Sequence, residues 1–159
     1  MKLGIIADTH GEIHPKVYEL LDDVDIILHA GDIDSENVLA ELETLAPVNA
    51  VVGNMDPYIL HKILPKKRIL LFEGKTILLI HQALIGDEVH EEVQKELMKQ
   101  KIDIVVFGHT HIPFQKEING VLFFNPGGGG KKRFNLLQGV GIIEIQNGTI
   151  SAQIKQLDH

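Results

Sequence analysis

The chain has 159 residues, contains no cysteine and carries a formal net charge of -7. A length of this order is typical of one domain with its own core, so we expect a single domain over residues 1–159. The lack of cysteine excludes disulfides, thiolate-bound zinc and iron–sulfur clusters, while the negative charge disfavours stable binding to nucleic acids or anionic membranes.

No apolar run in the sequence is long enough to span a membrane. The N-terminal apolar segment, residues 3–7, is also too short for the hydrophobic part of a signal peptide. We therefore expect a soluble, cytoplasmic protein without membrane contacts.

The first third of the chain alternates apolar strands with amphipathic helices. Strands are predicted over residues 2–7, 25–30 and 48–52. Pro15 indicates the first turn of one helix, and either Ser35 or Asp34 is expected to cap the next. This βαβαβ order is typical of an open α/β sheet.

The later part of the chain is predicted to contain mainly antiparallel strands. Hairpins are expected over residues 68–80, 113–124 and 139–154, the last two around Asn119-Gly120 and Asn147-Gly148, which favour two-residue turns. A helix is predicted over residues 87–100, with His90 solvated on it, and a buried strand over residues 102–107.

A glycine-rich segment, residues 127–130, lies between these hairpins and precedes the basic triplet Lys131-Lys132-Arg133. It lacks the Gly-Lys-Ser/Thr ending of a phosphate-binding P-loop. We expect a flexible surface loop rather than one that contacts substrate, although the basic triplet could help to hold a phosphate.

Side chains able to bind metal ions follow five predicted strands at the point where each strand ends. They are Asp8, His10, Asp32, Asn54, His81, His109 and His111. Any one of them has an ordinary explanation, such as a turn or a helix cap. Ligands of open α/β sheets bind beyond the carboxyl ends of the strands, however, so the whole set predicts one site.

The composition of this set points to two neighbouring metal ions. Two carboxylates, four imidazoles and one amide exceed the needs of one four-coordinate zinc and suit two divalent ions that share a carboxylate. Manganese is our first expectation, and nickel, iron, cobalt and zinc are compatible with the same ligands.

These motifs, in this order, resemble the calcineurin-like metallophosphoesterase superfamily and specifically its small prokaryotic YfcE-type phosphodiesterase branch. The motifs are Asp8-x-His10, Gly31-Asp32, Gly53-Asn54-x-Asp56, His81, Gly108-His109-Thr110-His111 and Asn125-Pro126-Gly127. The resemblance implies a metallophosphoesterase domain with a four-layer αββα sandwich, in which two mixed β-sheets are flanked by helices.

The resemblance also implies how the ligands divide between the ions. One ion would be held by Asp8, His10, Asp32 and His111, and the other by Asp32, Asn54, His81 and His109. Asp32 would bridge the two ions, and Asp32, Asn54 and His109 are the residues we expect to take part in catalysis.

The implied activity is hydrolysis of a small phosphodiester by in-line attack of a hydroxide that bridges the two ions. Asp56 is expected to orient a ligand histidine from outside the ligand set. His29 is expected to lie in the core or behind the site rather than to bind metal.

Two departures from the family pattern concern the proton for the leaving group. Many members have histidines where this chain has Met55 and Ala83. General acids contribute about 10²–10⁴-fold to such reactions, so we expect slow turnover that favours good leaving groups, such as those of aryl phosphodiesters.

The same departures leave a second function open. The alternative is a non-catalytic protein-interaction scaffold of the same fold, like the eukaryotic retromer subunit. The retention of all seven proposed ligands favours the enzyme, and the resemblance is also compatible with a homodimer.

Overall fold

The computed structural model describes residues 1–131 and 135–157. The strands are β1 (Lys2–Ile6), β2 (Ile26–His29), β3 (Val48–Ala50), β4 (Lys67–Phe72), β5 (Lys75–Ile80), β6 (Leu84–Ile85), β7 (Glu88–Val89), β8 (Ile104–Val106), β9 (Phe114–Ile118), β10 (Val121–Asn125), β11 (Gly139–Gln146) and β12 (Thr149–Gln156). The helices are α1 (Lys16–Leu20), α2 (Glu36–Glu43), α3 (Tyr58–Ile63) and α4 (Glu91–Lys99).

Ten of these strands form two mixed five-stranded sheets, in the orders β12-β11-β1-β2-β3 and β4-β5-β8-β10-β9, and β6 pairs only with β7. In the first sheet β1, β2 and β3 are parallel, and β11 pairs antiparallel to β1 and β12. In the second sheet β5, β8 and β10 are parallel, and β4 and β9 are antiparallel edge strands. Each sheet therefore has a carboxyl edge, where its parallel strands end, and an opposite amino edge.

The apolar core of the described ranges lies in three layers because successive residues of each strand point to opposite faces. Ile5 of the first sheet and Leu79 of the second are buried in the middle layer. Ile6 packs instead with the residues of α1 and α2, and Leu78 packs with Val93 of α4. This helix, sheet, sheet, helix order confirms the predicted αββα sandwich.

The predicted helix over residues 87–100 is wrong in its first turn. Residues 84–89 form the small β6–β7 hairpin, and the helix begins only at Glu91. His90 caps it, because its Nδ1 accepts the Glu92 N–H at 3.1 Å. The prediction that His90 is merely solvated is therefore also wrong. Helix α2 is capped by Ser35, which is one of the two residues expected to cap it.

The glycine-rich segment, residues 127–130, is buried, so the prediction of a flexible surface loop is wrong. The Gly129 N–H donates to Ala7 O at 2.8 Å. A Cβ atom on Gly130 would lie 2.2 Å from Thr9 O. Glycine is required here because the segment packs directly against the β1 loop. Of the basic triplet, Lys132 and Arg133 lie outside the described residues.

None of the helices in the described ranges is long and apolar enough to cross a membrane.

Candidate metal centre

The seven candidate ligands lie together at the carboxyl edges of the two sheets. The loops after β1, β2 and β3 carry Asp8, His10, Asp32 and Asn54, and those after β5 and β8 carry His81, His109 and His111. Since both sheets present this edge in the same direction, the set straddles the sandwich. The structure thus brings together the residues that the strand-end pattern selected.

The first group around Asp32 is compact. The ligand atoms of Asp8, His10, Asp32 and His111 all lie within 4.8 Å of one another. The two imidazole Nε2 atoms are 3.2 Å apart, and their rings stack with centroids 5.0 Å apart. His10 Nε2 lies 3.8 Å from Asp32 Oδ2, and His111 Nε2 lies 3.9 Å from Asp8 Oδ1. Two nitrogens and two carboxylates facing one point suit a borderline divalent ion.

A second group meets the same carboxylate oxygen of Asp32. His81 Nε2 lies 3.3 Å from Asp32 Oδ2, and His109 Nδ1 lies 3.3 Å from Asn54 Oδ1. The rings of His81 and His109 meet edge to face, with centroids 5.2 Å apart. Asp32 is therefore the carboxylate that both groups share.

The orientation of His81 fits a metal ligand. Its Nδ1 lies 2.8 Å from Ala30 O and must donate there, since a carbonyl only accepts. The lone pair of the neutral ring is then on Nε2, which is buried and has no hydrogen-bond partner among the described residues. A lone pair facing the Asp32 carboxylate is unfavourable unless Nε2 binds a proton or a metal ion, so this atom is suited to hold a divalent ion.

The charges around Asp32 shift the pKa values of the neighbouring groups in different directions. Burial alone would raise the pKa of Asp32, but contact with His81 and the Met55 N–H holds it below its ordinary value. Burial acts to lower the pKa of His81, but the neighbouring Asp32 and Asp8 outweigh burial and raise it, because their carboxylates favour the protonated ring. Burial and the neighbouring His81 lower the pKa of His109, which favours the neutral imidazole that binds metals.

Five of these ligands have left-handed backbone. Their φ angles are 52° at Asp8, 48° at His10, 57° at Asp32, 75° at His109 and 62° at His111. Residues other than glycine adopt this backbone conformation at a cost of about 1–2 kcal/mol each. Such strain persists only where the surrounding structure imposes it, and its concentration here indicates a functional constraint.

One carboxylate outside the ligand set fixes the loops after β2 and β3. Asp56 accepts the backbone N–H groups of Asp32 at 3.1 Å and of Ile33, Asp34 and Gly53 at 2.7 Å each. The expectation that Asp56 orients a ligand histidine is therefore wrong. It positions Asp32 and the Gly53-Asn54 turn through their backbone.

His29 lies behind the centre, as expected. It is fully buried, and its Nδ1 accepts the Gly31 N–H at 3.1 Å, so that Nε2 carries the hydrogen and donates to Thr9 Oγ1 at 3.0 Å. Burial lowers its pKa to about 3. A neutral imidazole thus joins the two loops that carry Asp8 and Asp32.

A cleft of about 280 Å³ opens over the cluster. It is lined by His10, Asp32, Asn54, Met55, His109, His111 and Leu136. Leu136 escaped the sequence analysis because nothing in its neighbourhood carries a recognisable motif. Met55 faces this cleft and is 66% exposed, whereas Ala83 is fully buried, so neither of the two departures places a proton donor in the cleft.

Residues 1–148 match the model of the calcineurin-like phosphoesterase superfamily domain. A probable metallophosphoesterase of Methanothermobacter thermautotrophicus is 37% identical over 132 residues, which cover 80% of this chain and 76% of that protein. Phosphodiesterase YfcE of Escherichia coli K12 is 28% identical over 126 residues, covering 70% and 65% of the two chains. The solved structure of Vps29 from Chaetomium thermophilum shares the fold, with a TM-score of 0.78 at 17% identity over 99% of this chain and 97% of Vps29.

Proposed function

The chain belongs to the calcineurin-like phosphoesterase superfamily, and from this premise we propose that it is a metal-dependent phosphodiesterase with a dinuclear centre. The observation that carries the proposal is the convergence of seven side chains from five strand ends around the shared carboxylate of Asp32. We assign one ion to Asp8, His10, Asp32 and His111, and the other to Asp32, Asn54, His81 and His109.

Divalent ions bound at these ligands would activate a water molecule and neutralise negative charge on the phosphoryl oxygens. The protein itself then has to position the substrate and the ligands, which is its main contribution to phosphoryl transfer. Asp32 is buried, its backbone is held by Asp56, and its Oδ1 accepts the Met55 N–H at 2.9 Å, so the shared carboxylate has a fixed orientation. Asn54 and His109 line the open cleft and lie where a phosphoryl oxygen would arrive.

The residues at positions 55 and 83 decide which substrates react well. Met55 and Ala83 cannot protonate a departing oxygen, so the leaving group must be stable as an anion or must take its proton from water. We therefore propose small phosphodiesters with good leaving groups as substrates. The similarity to phosphodiesterase YfcE supports diesters over monoesters.

A protein-interaction scaffold is the second candidate. The absence of both acid histidines and the shared fold with Vps29 favour it. Against it stands the complete ligand set, whose five left-handed residues carry a backbone cost that a role in protein binding alone does not explain. We extend the proposal to manganese as the first choice of ion, to a cytoplasmic location and to a homodimer.

The test uses metal-stripped protein and bis(p-nitrophenyl) phosphate, with p-nitrophenyl phosphate as the matching monoester. Adding Mn²⁺ should produce hydrolysis that prefers the diester, with two ions bound per chain by elemental analysis. Asp32→Ala should lower kcat/KM by about 10³-fold, which corresponds to about 4 kcal/mol of transition-state stabilisation. His109→Ala should also lose activity.

Asp22→Ala is the matched control, because it removes an exposed carboxylate far from the ligand set. It should retain both metal content and activity. Wild-type protein that binds two ions and yet cleaves the diester no faster than Asp32→Ala would overturn the enzyme and support the scaffold.

A further inference from the structure

A second cavity adjoins the cleft over the candidate centre. Its volume is about 570 Å³, twice that of the cleft itself. Its lining includes Val52, Asn54, Lys66, Lys67, Ile80 and His90. We call it the side cavity. Asn54 lines both spaces, so a molecule held over the metal ligands can extend from one into the other.

The walls of the side cavity combine apolar surface with cationic groups. Val52 and Ile80 are buried apolar residues. Lys66 and Lys67, which follow α3, are the cations of the lining, and Glu92 of α4 is its carboxylate. The lining thus favours an apolar or aromatic body that carries negative charge.

The two lysines differ in their availability to a ligand. Lys67 Nζ lies 2.8 Å from Glu96 Oε1 and 3.3 Å from Glu92 Oε2, so its charge is already matched within the protein. Among the described residues, Lys66 forms no ion pair. Its exposed ammonium group is therefore the cation of the lining that is not held in an ion pair and can contact a ligand.

His90 adds a donor of fixed orientation. Its Nδ1 accepts the Glu92 N–H at 3.1 Å, so the hydrogen of the neutral ring resides on Nε2. A residue that caps a helix therefore also offers an N–H from the wall of the cavity. Lys66 and His90 come from segments on either side of β5 in the chain.

The two ester groups of a diester have different fates. Met55 and Ala83 supply no proton, so the leaving oxygen departs as a stable anion or takes its proton from water. Hydrolysis breaks the bond between phosphorus and that oxygen, adds the oxygen of water to phosphorus, and leaves a monoester of the other substituent. The retained substituent is the one that an adjoining cavity can hold throughout the reaction.

We propose that the side cavity binds the retained substituent and selects diesters in which it carries a second anionic group, a phosphate or a carboxylate, on an apolar body. Lys66 and His90 are the groups that recognise this second anion. The inference rests on the proposed phosphodiesterase function and specifies its substrate class.

The test compares three p-nitrophenyl diesters of one size with Mn²⁺-loaded protein. Their retained groups are phenyl, 4-carboxyphenyl and 4-phosphonatophenyl, so the two anionic arms separate carboxylate from phosphate recognition. At least one anionic arm should have a KM about three- to tenfold lower than the phenyl arm, at similar kcat, because an ionic contact at an open site contributes only modestly. The difference should shrink at high salt.

Two variants remove the proposed anion contacts. Lys66→Ala deletes the free charge, and His90→Asn deletes the imidazole while asparagine keeps the helix cap. Each should reduce the KM advantage of the anionic arms. Lys62→Ala is the matched control, since Lys62 lies on α3, outside the side-cavity lining, and should retain the full advantage.

Calorimetry provides a second measurement that does not depend on turnover. Wild-type protein should bind 4-carboxyphenyl phosphate or 4-phosphonatophenyl phosphate more tightly than phenyl phosphate, and Lys66→Ala should abolish the difference. Equal KM values for the three diesters, with metal-dependent cleavage intact, would overturn the side-cavity inference and leave the phosphodiesterase proposal standing. If no diester is cleaved, the phosphodiesterase proposal fails, and equal binding of these monoesters would overturn the cavity assignment as well.

Discussion

The two edges of the sandwich hold their left-handed residues by different means. At the amino edge they lie in two-residue turns, where Asn119 and Asn147 have φ angles of 50° and 52° and are each followed by a glycine. At the carboxyl edge the comparable angles belong to the aspartates and histidines that are candidate ligands, such as 57° at Asp32 and 75° at His109. The same backbone conformation therefore appears with residues suited to it and with residues chosen for other chemistry.

The surroundings of the two edges differ accordingly. A Cβ atom added to Gly120 or Gly148 at the amino edge would have no atom within 4 Å, and these turns are stable through their own Asn-Gly sequence. At the carboxyl edge a Cβ atom on Gly53 would lie 2.2 Å from Asp32 Oδ1. Local sequence determines the turns, whereas tertiary contacts impose the ligand loops.

The largest expected effect is the loss of stability caused by Asp56→Ala, which removes a tertiary support of the carboxyl edge. It would leave four backbone N–H groups, of Asp32, Ile33, Asp34 and Gly53, without their acceptor. Each such buried donor costs about 1–3 kcal/mol, and with partial rehydration we expect a total loss of about 4 kcal/mol in the free energy of unfolding, measured by urea denaturation.

Asp56→Asn keeps one carboxamide oxygen as acceptor, and should lose less stability while still lowering metal affinity, about 10–100-fold, by loosening the ligand loops. Asp22→Ala, on the exposed surface, should cost less than about 0.5 kcal/mol. A small loss for Asp56→Ala would mean that the carboxyl edge does not need this support.

A pair of glycine substitutions compares the edges directly. Gly53→Ala should destabilise the protein by about 3 kcal/mol, because the added methyl group meets Asp32 and its backbone nitrogen. Gly148→Ala has free space around it and only its φ of 76° to accommodate, so about 1 kcal/mol is expected. Thermal unfolding with and without Mn²⁺ measures both.

Only Gly53→Ala should also weaken the stabilisation that Mn²⁺ provides, since Asp32 is a proposed ligand. If the two variants lose equal free energy of unfolding, the backbone of the two edges is not stabilised by different means, and the distinction between local sequence and tertiary contacts is refuted.

The smallest expected effect is a gain in stability from a substitution at the amino edge. Glu73 has a φ of 48° in the β4–β5 turn and precedes Gly74. Glu73→Asn creates the Asn-Gly pair already present in the other two turns, and should stabilise the protein by about 0.5 kcal/mol, or about 1–2 °C in Tm. The lost contact between Glu73 and the N-terminal amine, 3.4 Å in an exposed position, counts for little. A lower Tm would show that this turn is set by its neighbours.

The sequence predicted those features that depend on local chemistry or on strand order. The turns at Asn119 and Asn147 follow from their residues, and the strand-end rule selected side chains that the parallel strands of both sheets bring together. The family resemblance supplied the sandwich of two sheets, which the order of elements alone does not define.

The features that escaped prediction depend on contacts between distant segments. Asp56 was recognised in its motif, but its four backbone partners appear only when the loops after β2 and β3 are adjacent. The sequence of the glycines at 127–130 is typical of a flexible loop, and only the structure shows that they pack closely against Thr9 and Ile6. Lys66 and His90 show no motif at all and become neighbours of Asn54 only around the side cavity.

The wide spacing of the candidate ligands along the chain bears on how the protein folds. His10 and His111 are 101 positions apart, yet their Nε2 atoms lie 3.2 Å apart. Contacts of such sequence separation close late and slow the folding rate, so an intermediate that lacks the docked second sheet has no complete ion site. Ions would then bind the native state in preference to the unfolded chain and shift the folding equilibrium towards it by RT ln(1 + [M]/Kd), so that metal supply would affect the stability of the folded chain as well as its chemistry.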